Sequence, residues 1–444
     1  MIFTHPMFPI FVLFFLFFMN VPIALSLIGS TLYYFVFINN NMPTSLVIQQ
    51  FVSAVESFPY LAVPFFIMLG SVMNYSGLSD RLMDFAEVLA GHLKGGLAQV
   101  NCVLSALMGG ISGSANADAA MESKILVPAM LNKGMPLDFS AAVTAASSSV
   151  SPVIPPGNNL IMYALIANVT VGDMFLAGYT PGIMMTIALM IAVYFIACKH
   201  NYAPSREKMA SPVEILRQAF KSIFALCIPF VIILGMRLGI CTPTEAGGVA
   251  VLFAVVIGAF AYGKLKVKHI PIILKETVQS TGSVMIIIAA AKAFGFYMSC
   301  ESIPEMITKT LLGMTQNKFL LLMIINVVLL IIGMFIEGGA ALIILAPLPV
   351  PAVMSRGVDP LHFGVIIIVN IMIGGLTPPF GSMMFTVCSI VNCRFDKFIK
   401  QVWPFIFALL VVLVLCTYSE NIALAIPKLF GYQPIHNGLQ ALAG

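Results

Sequence analysis

Two stretches of this sequence place hydroxyls, amides and prolines inside long apolar runs: SSSVSPVIPPGNN, Ser147 to Asn159, and IGGLTPPFGSMM, Ile373 to Met384. Proline has no N–H to donate and its ring clashes with the preceding turn, so each stretch must interrupt a helix. In a bilayer such irregular backbone is tolerated only where protein or a water-filled cavity covers it. The broken ends then offer carbonyls to cations and N–H groups to anions. Ser149 and Ser151 add hydroxyls to the first break and Thr377 to the second. Each break is preceded by another polar interruption, ISGSANAD from Ile111 to Asp118, with Ser112 and Ser114, and GMFIEGG from Gly333 to Gly339. No acidic residue lies in either proline break. Neutral oxygens would therefore do the binding, which suits Na⁺ better than a proton, whose carrier must titrate.

The elements that must hold these stretches follow from composition. Of 444 residues, 60% are hydrophobic and 9% charged, and the mean hydropathy is +1.01, which makes the chain a polytopic membrane protein. Candidate spans are Met174–Ala197, Ile223–Met236, Val249–Tyr262, Leu320–Phe335 and Val402–Cys416. Phe8 to Phe37 is one tilted helix or two broken near Asn20-Val21-Pro22, and Tyr60 to Met73 is short for a crossing. No lysine or arginine precedes the first apolar run, so no cleaved signal peptide is expected. The net charge of +4 is scattered and suggests no nucleic acid partner. Eight cysteines without CxxC spacing read as free core thiols, and six dispersed histidines exclude a zinc motif.

The chain also matches itself. Val127-Pro128-Ala129 recurs as Val350-Pro351-Ala352, Gly134 as Gly357, Pro155-Pro156 as Pro378-Pro379, Asp173 as Asp396 and Pro181 as Pro404, each 223 residues on. Matching loops carry opposite charge: Ile38–Pro59 holds only Glu56, whereas Gly263–Ser280 holds Lys264, Lys266, Lys268, Lys275 and Glu276. Under the positive-inside rule the copies face opposite ways, with the basic Lys199–Lys221 loop in the cytoplasm and the N-terminus outside. The expected organisation is an all-α inverted repeat: residues 1–200, a cytoplasmic linker at 201–222, and residues 223–444. Re-entrant helical hairpins are expected at about 112–156 and 333–379, each running through a glycine turn. Asp118, Glu122, Lys124, Glu245, Lys292 and Glu337 are costly in lipid and should face polar interiors or interfaces. Lys292 or Arg237 could neutralise an anionic substrate, or serve as a structural pair or interfacial anchor.

At this point ISGSANADAA, KILVPAMLNKGM, AAVTAASSSVSPVIPP, MFLAGYTPGIMM, TPTEAGGVAV and IGGLTPPFG together resemble, in order and spacing, the large membrane subunit of TRAP (tripartite ATP-independent periplasmic) transporters, the DctM or sialic-acid-permease type. The resemblance covers essentially the whole chain. It implies a multi-pass protein of the bacterial inner membrane working as an elevator, in which a domain of hairpins and broken helices moves against a scaffold. It also implies Na⁺-coupled uptake of a small organic acid, a small four-helix membrane subunit and a periplasmic binding protein. Carried over by motif, one sodium site falls on Ser112, Ser114, Ser149, Ser151, Ile154 and Pro156, and the other on Gly333, Gly374, Thr377 and Phe380. Two sodium ions are thus expected. The chain departs from the family at Gly157-Asn158-Asn159, where PPSI is usual, and at Ser151, where glycine is usual. The added amides place Asn158 and Asn159, with Gly157 and Ser149, at the expected substrate site.

Three rival functions are weighed against this. Gly110-Ile111-Ser112-Gly113 matches the GxSG of rhomboid-like serine proteases, with His362 as the candidate base. A purely structural membrane subunit would not need two matched breaks. A divalent-anion:sodium symporter that works without a binding protein is the strongest alternative.

Overall fold

The computed structural model describes residues 5–19, 21–39, 42–56, 58–109 and 113–435, and among them every regular element is a helix. The first half runs α1 (Phe8–Phe18), α2 (Ile23–Tyr33), α3 (Ser45–Val55), α4 (Ala62–Ser76), α5 (Leu78–Ala90), α6 (Gly96–Gly109), α7 (Ala115–Asn132), α8 (Leu137–Ser148), α9 (Asn158–Ile166) and α10 (Val171–His200). A linker helix, α11 (Pro212–Lys221), follows. The second half runs α12 (Ile223–Arg237), α13 (Pro243–Val256), α14 (Ile270–Cys300), α15 (Ile303–Met314), α16 (Lys318–Gly333), α17 (Gly338–Leu345), α18 (Val350–Ser355), α19 (Pro360–Leu376), α20 (Ser382–Val391) and α21 (Phe395–Tyr418).

The internal match is carried by these elements. α8 and α19 begin 223 residues apart, and α9 and α20, like α10 and α21, begin 224 apart. A π-helical turn follows α2 at Tyr34–Ile38 and another follows α13 at Ile257–Ala261. Both Pro155-Pro156 and Pro378-Pro379 are cis.

The halves run in opposite directions. α10, with 30 residues and roughly 45 Å of length, separates two faces of the molecule. At its His200 end, Gly95 N–H donates to Tyr202 O (3.3 Å), Ser205 N–H donates to Gly91 O (2.8 Å), and the Phe139 ring sits 5.1 Å from Tyr202. At its Asp173 end, Asp173 pairs with Arg237 (2.5 Å), and Arg237 also reaches Phe430 O. On this second face Tyr432 donates to Asp359 (3.0 Å), which caps α19 by accepting from Leu361 N–H (2.8 Å). Burial beside Asp359 pushes the Tyr432 phenol up. Arg356 donates to Leu312 O and Thr315 O there, each at 3.2 Å. So α6 starts and α7 ends on the linker face, while α16 starts and α18 ends on the Asp173 face.

Each half therefore contains a hairpin that enters and leaves by one face. α6 and α7 come from the linker face and α16 with α17–α18 from the other. Their tips, reached at Gly113-Ser114 and at 334–337, lie inside the molecule. The segments 112–156 and 333–379, expected as hairpins, each join a returning arm to a rising arm, through turns at 133–136 and 356–359 on the faces. The rising arms are broken spans: α8 and α9 flank the first proline break, and α19 and α20 the second.

Several boundaries differ from expectation. Leu320–Phe335 is not a full crossing: α16 has 16 residues and ends at a hairpin tip. α14 was missed as a span because Lys275, Glu276 and Lys292 interrupt its apolar pattern. Glu276 is tolerated because Ser71 and Tyr75 hydroxyls donate to it, each at 2.6 Å. Phe8 to Phe37 is two helices, α1 and α2, and α4 bends 74° into α5. Glu245 is a helix cap: it accepts from Thr242 N–H (2.8 Å) while the Thr242 hydroxyl accepts from Glu245 N–H (3.3 Å). All eight cysteines are free, four of them buried.

Candidate functional site

The two hairpin tips and the two proline breaks meet around one central cavity of about 100 Å³. Ser114 and Asn116 reach it from the first tip, Pro152, Asn158 and Asn159 from the first break. Glu337 to Ala340 come from the second tip and Gly375, Ser382 and Met383 from the second break, while Val284 and Ile287 of α14 close one wall. Four helices start there: α7, α9, α17 and α20. Each N-terminus carries about half a positive charge on unfilled N–H groups. α9, α17 and α20 have no side-chain cap, so their first-turn N–H groups stay available. These uncapped termini favour an anion of few atoms at the end of the cavity away from the Glu337 carboxyl, and the half-buried Asn158 and buried Asn159 add amides that donate and accept. Asn159 lies against the second half: its amide nitrogen is 3.7 Å from Met372 Sδ, and a Cβ on Gly339 would come within 3.6 Å of its amide oxygen.

The expected sodium residues form two groups, one in each half. Ser112 lies outside the described residues. Ser114 caps α7, accepting from Ala117 N–H at 3.5 Å, and next to it the backbone of Gly113 packs on the first break, where its Cβ position is 3.2 Å from Pro156 O. Ser151 and Ile154 pack under the end of α6: a Cβ on Gly109 would meet Ser151 O at 2.9 Å and the Ile154 side chain at 2.7 Å. Ser149 is buried and donates to Ala146 O (2.6 Å); neither it nor Gly157 is among the cavity-lining residues. In the second group Gly333 and Gly374 touch backbone to backbone, since a Cβ on Gly374 would sit 2.9 Å from Gly333 Cα. Thr377 N–H donates to Gly374 O (2.9 Å) and its hydroxyl to Ile373 O (2.7 Å). Phe380 can contribute only backbone here, because its ring is 52% exposed and packs on Phe335 at 5.1 Å.

A second chamber of about 660 Å³ adjoins the cavity, sharing Met162 and Ile343 as wall. Gln50, Tyr60, Asn168 and Lys292 line it. The Lys292 ammonium donates to Ser53 O (3.4 Å), which leaves two of its N–H groups for an anion. Arg237 is spent on Asp173 and does not line either chamber. His362, buried, hydrogen-bonds Cys416 O (2.7 Å) on the Asp173 side of α19, away from the first tip that rises from the linker face.

Glu337, Asn116, Ser382 and Met372 were missed as cavity residues. The internal repeat could have found two of them: Glu337 stands 223 residues after Ser114, and Ser382 224 after Asn158.

Residues 10–422 match the profile of the tripartite ATP-independent periplasmic transporter, DctM component. The chain is 37% identical over 420 residues to the sialic acid TRAP transporter large permease protein SiaM of Vibrio cholerae, covering 94% of this chain and 97% of that one. It is 34% identical over 412 residues to the isethionate TRAP transporter permease protein DctMQ of Oleidesulfovibrio alaskensis, covering 93% of this chain and 64% of that one. Among solved structures, the Neisseria gonorrhoeae efflux pump MtrF superposes with a TM-score of 0.60 at 13% identity, covering 84% of this chain and 82% of that one. That likeness concerns the fold alone.

Proposed function

The chain belongs to the DctM family, the large permease component of TRAP transporters in the inner membrane, and from that premise we propose that it takes up a small organic anion through the central cavity, driven by sodium. It is a transport subunit, as its relatives are, and not an enzyme. The observation that supports the anion is the convergence of four helix N-termini on one cavity, three of them uncapped. Each uncapped terminus contributes roughly 0.3–2 kcal/mol to a bound negative charge. Lys292, in the adjoining chamber, draws the anion towards it.

Sodium is assigned to the backbone and hydroxyl oxygens beside the cavity: Ser114, Ser151, Ile154 and Pro156 in one half and Gly333, Gly374 and Thr377 in the other. Binding at these positions would fix each tip against its break, and a fixed tip completes the anion cavity. The order is therefore sodium first, anion second. Transport follows an elevator motion, in which hairpins and broken helices carry the cavity along α14 and its neighbours. The linker face, which collects Lys199, Arg206, Lys208, Lys264, Lys266, Lys268, Arg394, Lys397 and Lys400, is cytoplasmic. A small four-helix membrane subunit extends the scaffold, and a periplasmic binding protein delivers the solute.

Reconstitution tests this reading. With the small subunit in the vesicle membrane and the binding protein outside, an inward sodium gradient should drive uptake of the binding protein's labelled acid. Uptake driven equally well in sodium-free buffer by a pH gradient would refute the coupling. Full uptake without the binding protein would instead favour the binding-protein-independent symporter.

A further inference from the structure

Outside the cavity, the first hairpin buries two carboxylates with nothing to balance them. Asp118 and Glu122 are one turn apart on α7, on the same face, and are 1% and 0% exposed. No lysine or arginine bonds to either among the described residues: Lys124, their only basic neighbour on this stretch of α7, is exposed. α6 contributes Asn101, Cys102 and Ser105, and α8 contributes Thr144 and Ser147, all buried. The Ser105 hydroxyl donates to Glu122 Oε1 (2.8 Å), and Ser147 approaches Glu122 Oε2 (3.4 Å), Asn101 Oδ1 (3.0 Å) and Thr144 O (3.1 Å). Asn101 in turn donates to Thr144 Oγ1 (2.7 Å).

The cluster has more acceptors than protons to fill them. The one Ser147 hydroxyl proton faces three acceptors, and both carboxylate oxygens of Asp118 are left without a bond of their own, the Ser105 hydroxyl beside them being given to Glu122. Buried carboxylates occur paired, hydrogen-bonded or on a metal ion, and this pair has only two hydroxyl donors within reach, those of Ser105 and Ser147. What is missing is positive charge. The available donors are carboxylate, hydroxyl and amide oxygens, the ligand set of a hard cation.

We propose that Asp118 and Glu122, with Ser105, Ser147 and Asn101, form a cation site inside the first hairpin, separate from the oxygens at the tips and breaks. Sodium and calcium share the chemistry that the site recognises. The cavity is its nearest entrance, since Asp118 lies one turn along α7 from Ser114, which lines that cavity. Bound there, it holds α6, α7 and α8 together and keeps two negative charges from acting on the anion cavity one turn away.

The test uses the full chain with its small subunit, purified at neutral pH, and counts bound ²²Na⁺ or ⁴⁵Ca²⁺ per molecule. The double variant Asp118→Asn/Glu122→Gln keeps shape and removes charge. It should lose one bound cation, sodium or calcium, relative to the wild type, whereas Thr377→Val should leave that cation in place. Milder Ser147→Ala should weaken the same ion severalfold and serves if the double variant does not fold. An unchanged cation count in the double variant overturns the proposal. So does, in the wild type itself, the infrared carbonyl band of protonated carboxylic acids on both residues, assigned with ¹³C-labelled aspartate and glutamate and persisting at saturating cation, with Glu337→Gln as control for the cavity acid.

Discussion

Gly374→Ala should raise the sodium concentration that half-saturates uptake, because a methyl group there has nowhere to go. Its Cβ would sit 2.9 Å from both Cα and C of Gly333 and 3.3 Å from Gly333 O, all of them backbone. Contacts this close need the second hairpin tip to part from α19 by roughly 0.5–1 Å, and overpacking of this kind typically costs about 1–3 kcal/mol. The better helix propensity of alanine offsets up to ~1 kcal/mol of that. A net ~1–2 kcal/mol placed on the sodium-bound state is a factor of roughly 5–30 in sodium affinity. Gly333→Ala meets Gly374 Cα at 3.3 Å and Ile371 backbone only at 3.6 Å, and should shift it by less than about fivefold. Gly313→Ala, with nothing within 4 Å, should not shift it. The assay is initial uptake in proteoliposomes against external sodium, with surface expression measured in parallel. If all three variants keep the wild-type sodium dependence, the Gly333–Gly374 contact is packing alone and the second sodium site lies elsewhere.

Thr377→Val keeps the side-chain shape, loses the hydroxyl that donates to Ile373 O, and should raise half-saturating sodium with protein still reaching the membrane; unchanged sodium dependence argues against that oxygen as a ligand. Replacing Asn158 and Asn159 by alanine should weaken the half-saturating solute concentration roughly tenfold, the value of about one good hydrogen bond to a charged group, and equal kinetics would leave them as turn formers. Lys292→Gln should slow uptake most at low ionic strength and converge on the wild type in high salt, and a salt-independent defect would speak for a structural role instead. Single cysteines at 173 and 205 should label from opposite sides of intact cells, and labelling of both from one side is incompatible with α10 as a span.

What could be read from the sequence depended on how locally each feature is caused. The proline breaks were legible because Pro155-Pro156 and Pro378-Pro379 forbid a helix by themselves, whatever surrounds them. The repeat was legible because prolines and glycines marked it at a fixed offset. The place of the turns that follow the hairpins was not, since Lys133-Gly134 and Arg356-Gly357 look like turns wherever they lie. Only contacts such as Gly95 to Tyr202 and Phe139 to Tyr202 place the first of them on a face. α14 was hidden because its Glu276 is satisfied by α4, 201 and 205 residues away in the chain. Arg237 looked available to an anion because its partner, Asp173, lies 64 residues upstream. Phe380 was assigned through a motif that fixes where a backbone carbonyl sits and says nothing of where the ring points.

The cavity is built from two equivalent half-sites, and a solute that is not itself symmetric could sit in such a site either way round. Where the halves differ, that degeneracy is lifted. Ser114 and Glu337 hold the same place before α7 and α17, yet one is a neutral cap and the other an acid. Asn158 and Ser382 both open their helices, but the amide reaches further and carries a donor and an acceptor on separate atoms. On the proposed reading, an ionised Glu337 would make one end of the pocket refuse a carboxylate that the other accepts, so that the solute would enter with a head and a tail. Exchanging residues between equivalent positions, and not only deleting them, would turn the solute round or admit one with charge at both ends.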